Sequence, residues 1–137
     1  MRIKTDKADA LFSKMIRERD NWTCVFCGTV YTPPTTGLQC SHFWGRSNKA
    51  TRFAPSNCDA LCYGCHVRHE GNKQGYYRDF KLKQLGTKEY KALEKQARTP
   101  ASYGKKEKKE CFKVLQAQYA NREHFRPNWS GWIPSTE

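Results

Sequence analysis

Two Cys-x-x-Cys motifs constrain the fold of this chain more than any other feature of its sequence. The first is Cys24-Val-Phe-Cys27 and the second is Cys62-Tyr-Gly-Cys65. Each pair can occupy one edge of a tetrahedral metal ion through a tight turn, and four thiolates at these spacings are typical of structural zinc. We therefore predict a zinc ion that joins two distant segments of the chain.

Other interpretations of these motifs are weaker. A redox-active pair needs no second pair, and Cys62-Tyr-Gly-Cys65-His66 also matches the attachment sequence of c-type haem. Haem attachment requires export, and the first seven residues carry charges where a signal peptide would be apolar. No segment reaches the roughly 18 uninterrupted apolar residues of a membrane span. We expect a cytoplasmic protein whose cysteines hold metal or remain thiols.

Size and composition support a metal-stabilised domain. The chain has 137 residues, of which 37% are hydrophobic, and its mean hydropathy is -0.92. A chain of this length forms one small domain, and its apolar core would be only marginally stable without a cross-link. A bound metal ion supplies such a cross-link.

The charge balance is strongly basic. Lysine and arginine number 25 against 13 aspartate and glutamate, a formal net charge of +12, and residues 71–137 carry +8 of it. A polyanion such as nucleic acid is the expected partner. The alternatives are a basic surface that serves solubility alone and an anionic membrane, which is disfavoured because no helix joins a basic face to a broad exposed apolar face.

The periodicity around the motifs predicts a helix, two strands and a second helix. Residues 6–19 form an amphipathic helix capped by Thr5 or Asp6. Its apolar positions are Ala8, Leu11, Phe12, Met15 and Ile16. Residues 29–37, with two prolines, form a loop; short strands follow over residues 38–43 and 57–61, and a helix starts near residues 62–65 and continues through residue 68.

The C-terminal half reads as basic helices. Apolar positions one turn apart predict helical segments around residues 76–80, between residues 86 and 100, and over residues 105–119. The tail, with Trp129 and Trp132, either straps an apolar groove or is disordered. We assign residues 1–75 to a zinc-stapled core with an N-terminal helix, and residues 76–137 to a basic helical extension and aromatic tail packed on the same domain.

Three stretches together resemble the HNH family of nucleases. They run from Arg17 to Cys27, from Gln39 to Phe43 (Gln-Cys-Ser-His-Phe), and from Asn57 to His66 (Asn-Cys-Asp-Ala-Leu-Cys-Tyr-Gly-Cys-His). The stretches over residues 38–43 and 50–57 are more similar to the NinG/Rap-type recombination nucleases of lambdoid phages. The resemblance covers roughly residues 17–98. It implies an α+β fold with a ββα-metal (HNH, or His-Me finger) core.

The resemblance also implies a division of catalytic roles. His42 would be the general base that activates water for attack on a DNA phosphodiester, and Asn57 would hold the hairpin and orient His42. His66 would ligate one divalent cation, Mg²⁺ or Mn²⁺, which offsets charge on the scissile phosphate. Histidine suits the role of base because its pKa lies near neutrality, and a hard cation suits phosphate oxygens.

One position departs from the family pattern. Many HNH enzymes carry an Asp or His metal ligand directly before the base, where this chain has Ser41. A replacement ligand could come from Glu70 or His69, which lie four and three residues beyond His66 and so share its helix face. The alternative for both residues is a solvated helix face.

The remaining cysteines and the basic side chains complete the expectations. Cys40, Cys58 and Cys111 have no chelating partner at the spacing of the motifs, so we interpret them as small buried residues. The basic side chains expected to contact DNA phosphates are Arg46, Lys49, Arg52, Arg68 and Lys73.

The leading hypothesis is a zinc-containing endonuclease that hydrolyses DNA. The resemblance implies 5′-phosphate and 3′-hydroxyl ends, branched DNA as a substrate, a phage-encoded protein acting in the bacterial host cytoplasm, and a second copy or phage and host recombination proteins as partners. The main rival is a catalytically silent zinc module that binds nucleic acid or a phage protein. A structural zinc protein of a larger assembly is the third alternative.

Overall fold

The computed structural model describes residues 3–69, 75–125 and 130–134. In chain order the elements are α1 (Lys7–Arg19), β1 (Leu38–His42), a 3₁₀ turn (Pro55–Asn57), β2 (Cys58–Cys62), α2 (Tyr63–His69), α3 (Tyr76–Ala97), α4 (Lys105–Ala120) and α5 (Arg122–Phe125). The mixed α+β class predicted from the sequence is confirmed. Within the described ranges, no helix is long and apolar enough to cross a membrane.

The two strands form an antiparallel ribbon. Their register pairs Leu38 with Cys62 at one end and His42 with Cys58 at the other. Side chains of a strand alternate between its two faces, so Cys40 and His42 share one face while Ser41 lies on the opposite face. The second edge of β1 has no strand partner among the described residues.

Helix α1 covers one face of the ribbon. Asp6 caps it by accepting a hydrogen bond from the Asp9 backbone N–H at 2.9 Å, and the Asp9 carboxylate accepts from the Asp6 N–H at 2.9 Å, which completes a capping box. The predicted apolar stripe buries four residues on one helix face: Ala8, Phe12, Met15 and Ile16. They pack with Cys111 and Leu115 of α4, so the C-terminal helices contribute to the same core.

Helix α3 covers the opposite face. It is interrupted at Gly86, whose φ of 81° is a left-handed conformation that favours glycine. In its first segment, the Lys81 ammonium lies 2.9 Å from the Asp59 carboxylate on β2, and both side chains are fully buried. Tyr77 donates a hydrogen bond to Asp59 at 2.9 Å. A polar network therefore joins α3 to the ribbon.

Part of the aromatic tail packs on the core. Trp132 is buried against Phe53 and Tyr103, with ring centroids 6.2 and 5.9 Å away. Gly131 has a φ of 68°, and a Cβ there would collide with the Phe53 carbonyl oxygen. Of the two alternatives for the tail, the packing of Trp132 agrees with a strap over the core. Trp129 lies outside the described residues.

Candidate active site and zinc centre

The four cysteines of the two motifs meet at one point. Cys24 and Cys27 lie in the turns after α1, Cys62 ends β2, and Cys65 is in the first turn of α2. Their sulfur atoms all lie within 4.8 Å of one another, and the Sγ atoms of Cys27 and Cys62 are 3.7 Å apart. A zinc tetrahedron with Zn–S bonds of about 2.3 Å has edges of roughly 3.8 Å. The cysteine cluster can therefore hold zinc.

The surroundings of the cluster suit thiolate ligands. Backbone N–H groups of Cys27 and Cys65 point at the sulfurs of Cys24 and Cys62, at 3.5 and 3.4 Å. A hydrogen bond from the Thr29 hydroxyl lowers the pKa of Cys27 to about 6, whereas burial raises the pKa of Cys65 to about 12. A divalent cation would offset the cost of ionising the buried Cys65 thiol.

His42 ends β1, and its imidazole is fixed by the backbone of a neighbouring loop. The Nε2 atom lies 3.0 Å from the carbonyl oxygen of Arg52. A carbonyl only accepts, so Nε2 carries the proton and the lone pair of the neutral ring is on Nδ1. Burial lowers the pKa of His42 to about 4, which keeps this half-buried ring neutral at physiological pH. A neutral imidazole of fixed tautomer can accept a proton from water.

Asn57 secures the loop that follows His42. Its side chain is fully buried. The Oδ1 atom accepts from the Trp44 N–H at 2.8 Å, and Nδ2 donates to the carbonyls of Trp44 and Thr51 at 2.9 and 3.1 Å. Trp44 lies two residues after His42, and Thr51 directly precedes Arg52, whose carbonyl binds His42. Asn57 therefore fixes both ends of the loop around the imidazole.

His66 on α2 lines the same cavity as His42. The cavity has a volume of about 800 Å³ and lies between α1, β1 and the first turn of α2. His66 Nδ1 lies 2.7 Å from the Gln39 Oε1 atom and donates to it. The lone pair is then on Nε2, and such an outer partner is typical of a metal-ligating histidine. The structure thus brings the two predicted histidines to one cavity.

Ser41 belongs to the wall of the cavity, but its hydroxyl is engaged on the α3 side of the ribbon. Its buried hydroxyl lies 3.2 Å from the Tyr77 hydroxyl, on the face of the ribbon that meets α3. Tyr77 in turn contacts Asp59 and so ties Ser41 to the Asp59–Lys81 network. The position that holds a metal ligand in many HNH enzymes is therefore occupied by a residue of the packing interface.

Glu70 and His69 are the two residues considered as metal ligands in place of Ser41. Glu70 lies outside the described residues. His69 is placed among aromatic rings: it stacks on Tyr76 at 4.7 Å and meets Phe26 edge-on at 4.9 Å. Burial lowers the pKa of His69, and its Nδ1 atom is buried with no hydrogen-bond partner in the described part of the chain. His69 does not line the cavity of His42 and His66.

The basic side chains expected to contact phosphates are in different settings. Lys49 and Arg68 are exposed, and Lys73 lies outside the described residues. Arg46 lines the cavity, donates to the Thr5 hydroxyl at 2.8 Å and also contacts the Ile3 carbonyl.

Arg52 requires a correction, because the structure does not place it on the surface. Its side chain is 8% exposed and forms a two-pronged ion pair with Asp9 of α1, with Nε 2.9 Å from Oδ1. The guanidinium is held inside the protein by this pair, and not on the exposed loop where a phosphate contact was expected. The carbonyl oxygen of Arg52 contacts the His42 imidazole.

The sequence interpretation missed three residues that line the cavity: Asp9, Arg17 and Gln39. None belongs to a spacing motif, and they meet only because α1 packs along β1. Arg17 donates to the Thr35 carbonyl at 3.3 Å, and burial lowers the pKa of its guanidinium. Asp9 and Arg17 both lie on α1, eight residues apart. A helical wheel would have placed them near the same helix face, which is the signal in the sequence that could have grouped them.

The model of the bacteriophage lambda NinG protein family matches residues 3–124. The chain belongs to the NinG family. No curated protein and no solved structure matched the chain.

The NinG family match spans both the cysteine cluster and the cavity. It includes all four predicted zinc ligands, the ribbon with His42, and helices α1, α3 and α4. The predicted phage relationship is confirmed. The assignment of the core to the ββα-metal fold and of the chain to the nucleases stays a prediction.

Proposed function

We propose that this NinG family protein is a DNA endonuclease that hydrolyses phosphodiester bonds at the His42 cavity. The hydrogen bond from His42 Nε2 to the Arg52 carbonyl is the observation that carries the proposal. A histidine that only fills space needs no fixed tautomer, whereas a general base must present a lone pair to the reacting water. Placement of His42 in a cavity of about 800 Å³ gives water and a phosphate room to enter.

The residues around the base have separate roles in the proposed reaction. His42 Nδ1 accepts the proton of the attacking water, and Asn57 keeps the loop from moving the ring out of line. Arg46 and Arg17 line the cavity with positive charge that positions a phosphate and stabilises charge developing on it. The net charge of +12 draws DNA to the protein without reading its sequence.

A divalent cation would be held by His66. His66 lines the cavity and carries an imidazole, a type of side chain that ligates metals, whose Nδ1 is held by Gln39. The Asp9 carboxylate is engaged by Arg52 and Arg46. Mg²⁺ and Mn²⁺ often take most of their ligands from water and substrate phosphate, so a single protein ligand fits weak binding completed by DNA. When bound, the cation supplies charge stabilisation at the phosphate and leaving oxygen.

The proposal includes a preference for branched DNA over linear duplex DNA. Family membership connects the chain to a phage protein, and the resemblance to recombination nucleases points to branched DNA. Exposed basic residues such as Lys49 and Arg68 can follow a DNA backbone and read its shape. A second copy of the chain or a recombination protein of phage or host is a candidate partner.

A catalytically silent zinc module that binds nucleic acid is the second candidate. The environment of Ser41 favours it, because the hydroxyl is committed to Tyr77 and the usual second metal ligand is missing. Such a module would keep the zinc centre and the basic surface but would not turn over DNA.

The deciding experiment compares the wild-type protein with His42→Ala on supercoiled plasmid and on a four-way oligonucleotide junction. Each reaction is run with Mg²⁺, with Mn²⁺ and without any added divalent cation. We expect metal-dependent cutting that is lost in His42→Ala while DNA binding, measured by fluorescence anisotropy, is retained. Equal cutting by both proteins would remove His42 from the reaction, and binding without cutting under all conditions would favour the silent module.

A further inference from the structure

A second group of metal-ligating side chains lies on the ribbon itself. Cys40, His42 and Cys58 each present a ligand atom, and the three atoms lie within 4.8 Å of one another. The register explains the grouping, since Cys40 and His42 are two residues apart on one strand and Cys58 pairs with His42 on the other. This group is separate from the four-cysteine cluster, with which it shares no residue.

The chemistry of the three ligands is that of a thiophilic cation. Two thiolates and one imidazole form the protein part of open zinc sites, in which water takes the fourth position. Hard cations such as Mg²⁺ prefer oxygen and would not select this set. The Nε2–H of His42 donates to a backbone carbonyl, which leaves Nδ1 as the ligand and matches the outer partner of a ligating histidine.

Access and charge also suit an ion of this kind. Cys40 and His42 line the cavity, so an ion can arrive from solvent, while Cys58 is fully buried behind them. Binding would displace one proton from each thiol and form two metal–sulfur bonds, so the dication and two thiolates have no net charge. Arg17 lines the same cavity as Cys40 and adds positive charge on the side from which the ion would enter.

The geometry points to a second metal site, in which Zn²⁺ binds Cys40, His42 and Cys58 and thereby occupies the lone pair that His42 needs as a base. The inhibitory consequence rests on the proposed endonuclease activity; the site itself does not. Zinc at this position would be a regulator of the protein, distinct from the structural zinc of Cys24, Cys27, Cys62 and Cys65.

Zinc stoichiometry tests the site without any activity measurement. The full chain is dialysed against buffered free Zn²⁺ over a range of concentrations, and bound zinc is measured by atomic emission. We expect a second equivalent in the wild-type protein, its loss in Cys40→Ala, and its retention in Cys111→Ala, which removes a buried cysteine that is not a member of the group. Circular dichroism verifies that each variant is folded, and Cys58→Ala provides a second removal of a ligand.

Two further measurements separate zinc binding at this group from binding elsewhere in the cavity and from loss of the proposed activity. His66→Ala must keep the second equivalent, since His66 is no part of the group. Zinc inhibition is expressed relative to each protein's own rate at the lowest buffered free Zn²⁺, at which the four-cysteine cluster is still filled. In Cys40→Ala and Cys58→Ala we expect the inhibiting zinc concentration to rise by at least the roughly 10- to 100-fold that loss of an outer partner costs. A single equivalent in the wild-type protein, or a second one kept by both cysteine variants, overturns the site. Absence of cleavage by any protein would count against the endonuclease alone.

Discussion

The Nε2 atom of His42 lies 3.0 Å from the carbonyl oxygen of Arg52, while the Arg52 guanidinium is bound by Asp9 on the opposite side of the residue. One residue thus links the candidate base to helix α1. The side chain anchors the loop, and the anchored backbone sets the orientation of the imidazole. The stability of the Asp9–Arg52 pair and the reactivity of His42 should therefore be coupled.

The pH at which the cleavage rate declines in acid should lie well below the pKa of an ordinary histidine. Burial lowers the pKa of His42 from 6.5 to about 4, so the base stays neutral and active through the mildly acidic range. We expect kcat/KM to be flat from about pH 7 to pH 5.5 and to fall near pH 4. A limb centred near 6.5 would show that the imidazole is solvated or that another group is the base.

The same shift should affect stability. A histidine with a lowered folded-state pKa binds more protons when unfolded, so its contribution is fully present above pH 6.5 and is lost as the pH falls toward 4. The wild-type protein should lose unfolding free energy across this window more steeply than His42→Gln. Urea denaturation at several pH values measures the difference.

Replacement of Asn57 should impair catalysis more than DNA binding. Asn57→Asp keeps the shape but removes the two donations to the Trp44 and Thr51 carbonyls. We expect kcat to fall about 100-fold, because displacement of a catalytic group by about 1 Å can cost that much. Single-turnover cleavage and anisotropy on the same oligonucleotide measure the two quantities. Comparable losses in both would indicate a general loss of fold.

Removal of the predicted zinc should unfold the protein. Cys27→Ser and Cys111→Ser each remove one thiol, but only Cys27 belongs to the four-cysteine cluster. We expect Cys27→Ser to lose bound zinc and cooperative thermal unfolding, whereas Cys111→Ser keeps its zinc. A strong chelator should act on the wild-type protein as Cys27→Ser does. An unchanged thermal transition after chelation would contradict a structural role for the metal.

Loss of the Asp9–Arg52 pair should lower stability, whereas loss of an exposed basic residue should weaken DNA binding. Asp9→Asn breaks a buried pair and should lower the free energy of unfolding by about 3–5 kcal/mol. Lys49→Ala and Arg68→Ala should leave stability unchanged, weaken DNA binding and reduce the slope of log K against log salt by about 0.9 each. Salt titrations and urea denaturation on the same set of variants check both halves.

The buried Lys81–Asp59 pair supplies a separate test of the fold. Lys81→Met leaves the Asp59 carboxylate buried without its cation, and we expect a loss of about 3–5 kcal/mol in unfolding free energy. Adding Asp59→Leu to this variant should recover part of the loss, since no charge is then left buried without its counter-ion, while the Tyr77 hydroxyl still loses its acceptor. If the double variant is as unstable as the sum of the single variants, the pair does not act as a unit.

Local spacing in the sequence was enough to predict much of the molecule. The Cys-x-x-Cys pairs, the apolar stripe of α1 and the positions of both strands follow from short-range geometry. The four-cysteine cluster and the α+β class could therefore be predicted. The roles of His42, Asn57 and His66 came from a family resemblance and stay predictions, although the structure brings both histidines to one cavity. The expectations for Glu70 and Lys73 lie outside the described residues.

The sequence by itself determined which chemical groups the chain possesses and which short segments would form helices, strands and chelating turns. Tertiary structure alone decided their partners: Arg52 pairs with Asp9 across 43 residues, Gln39 meets His66 across 27, and Cys58 joins Cys40 and His42 through strand register. The physical reason is that a side chain's charge and hydrogen-bonding capacity are local properties, whereas burial and partner depend on the packing of distant elements. The two Cys-x-x-Cys pairs belong to both levels, because each chelating turn is local while the tetrahedron that unites them is tertiary.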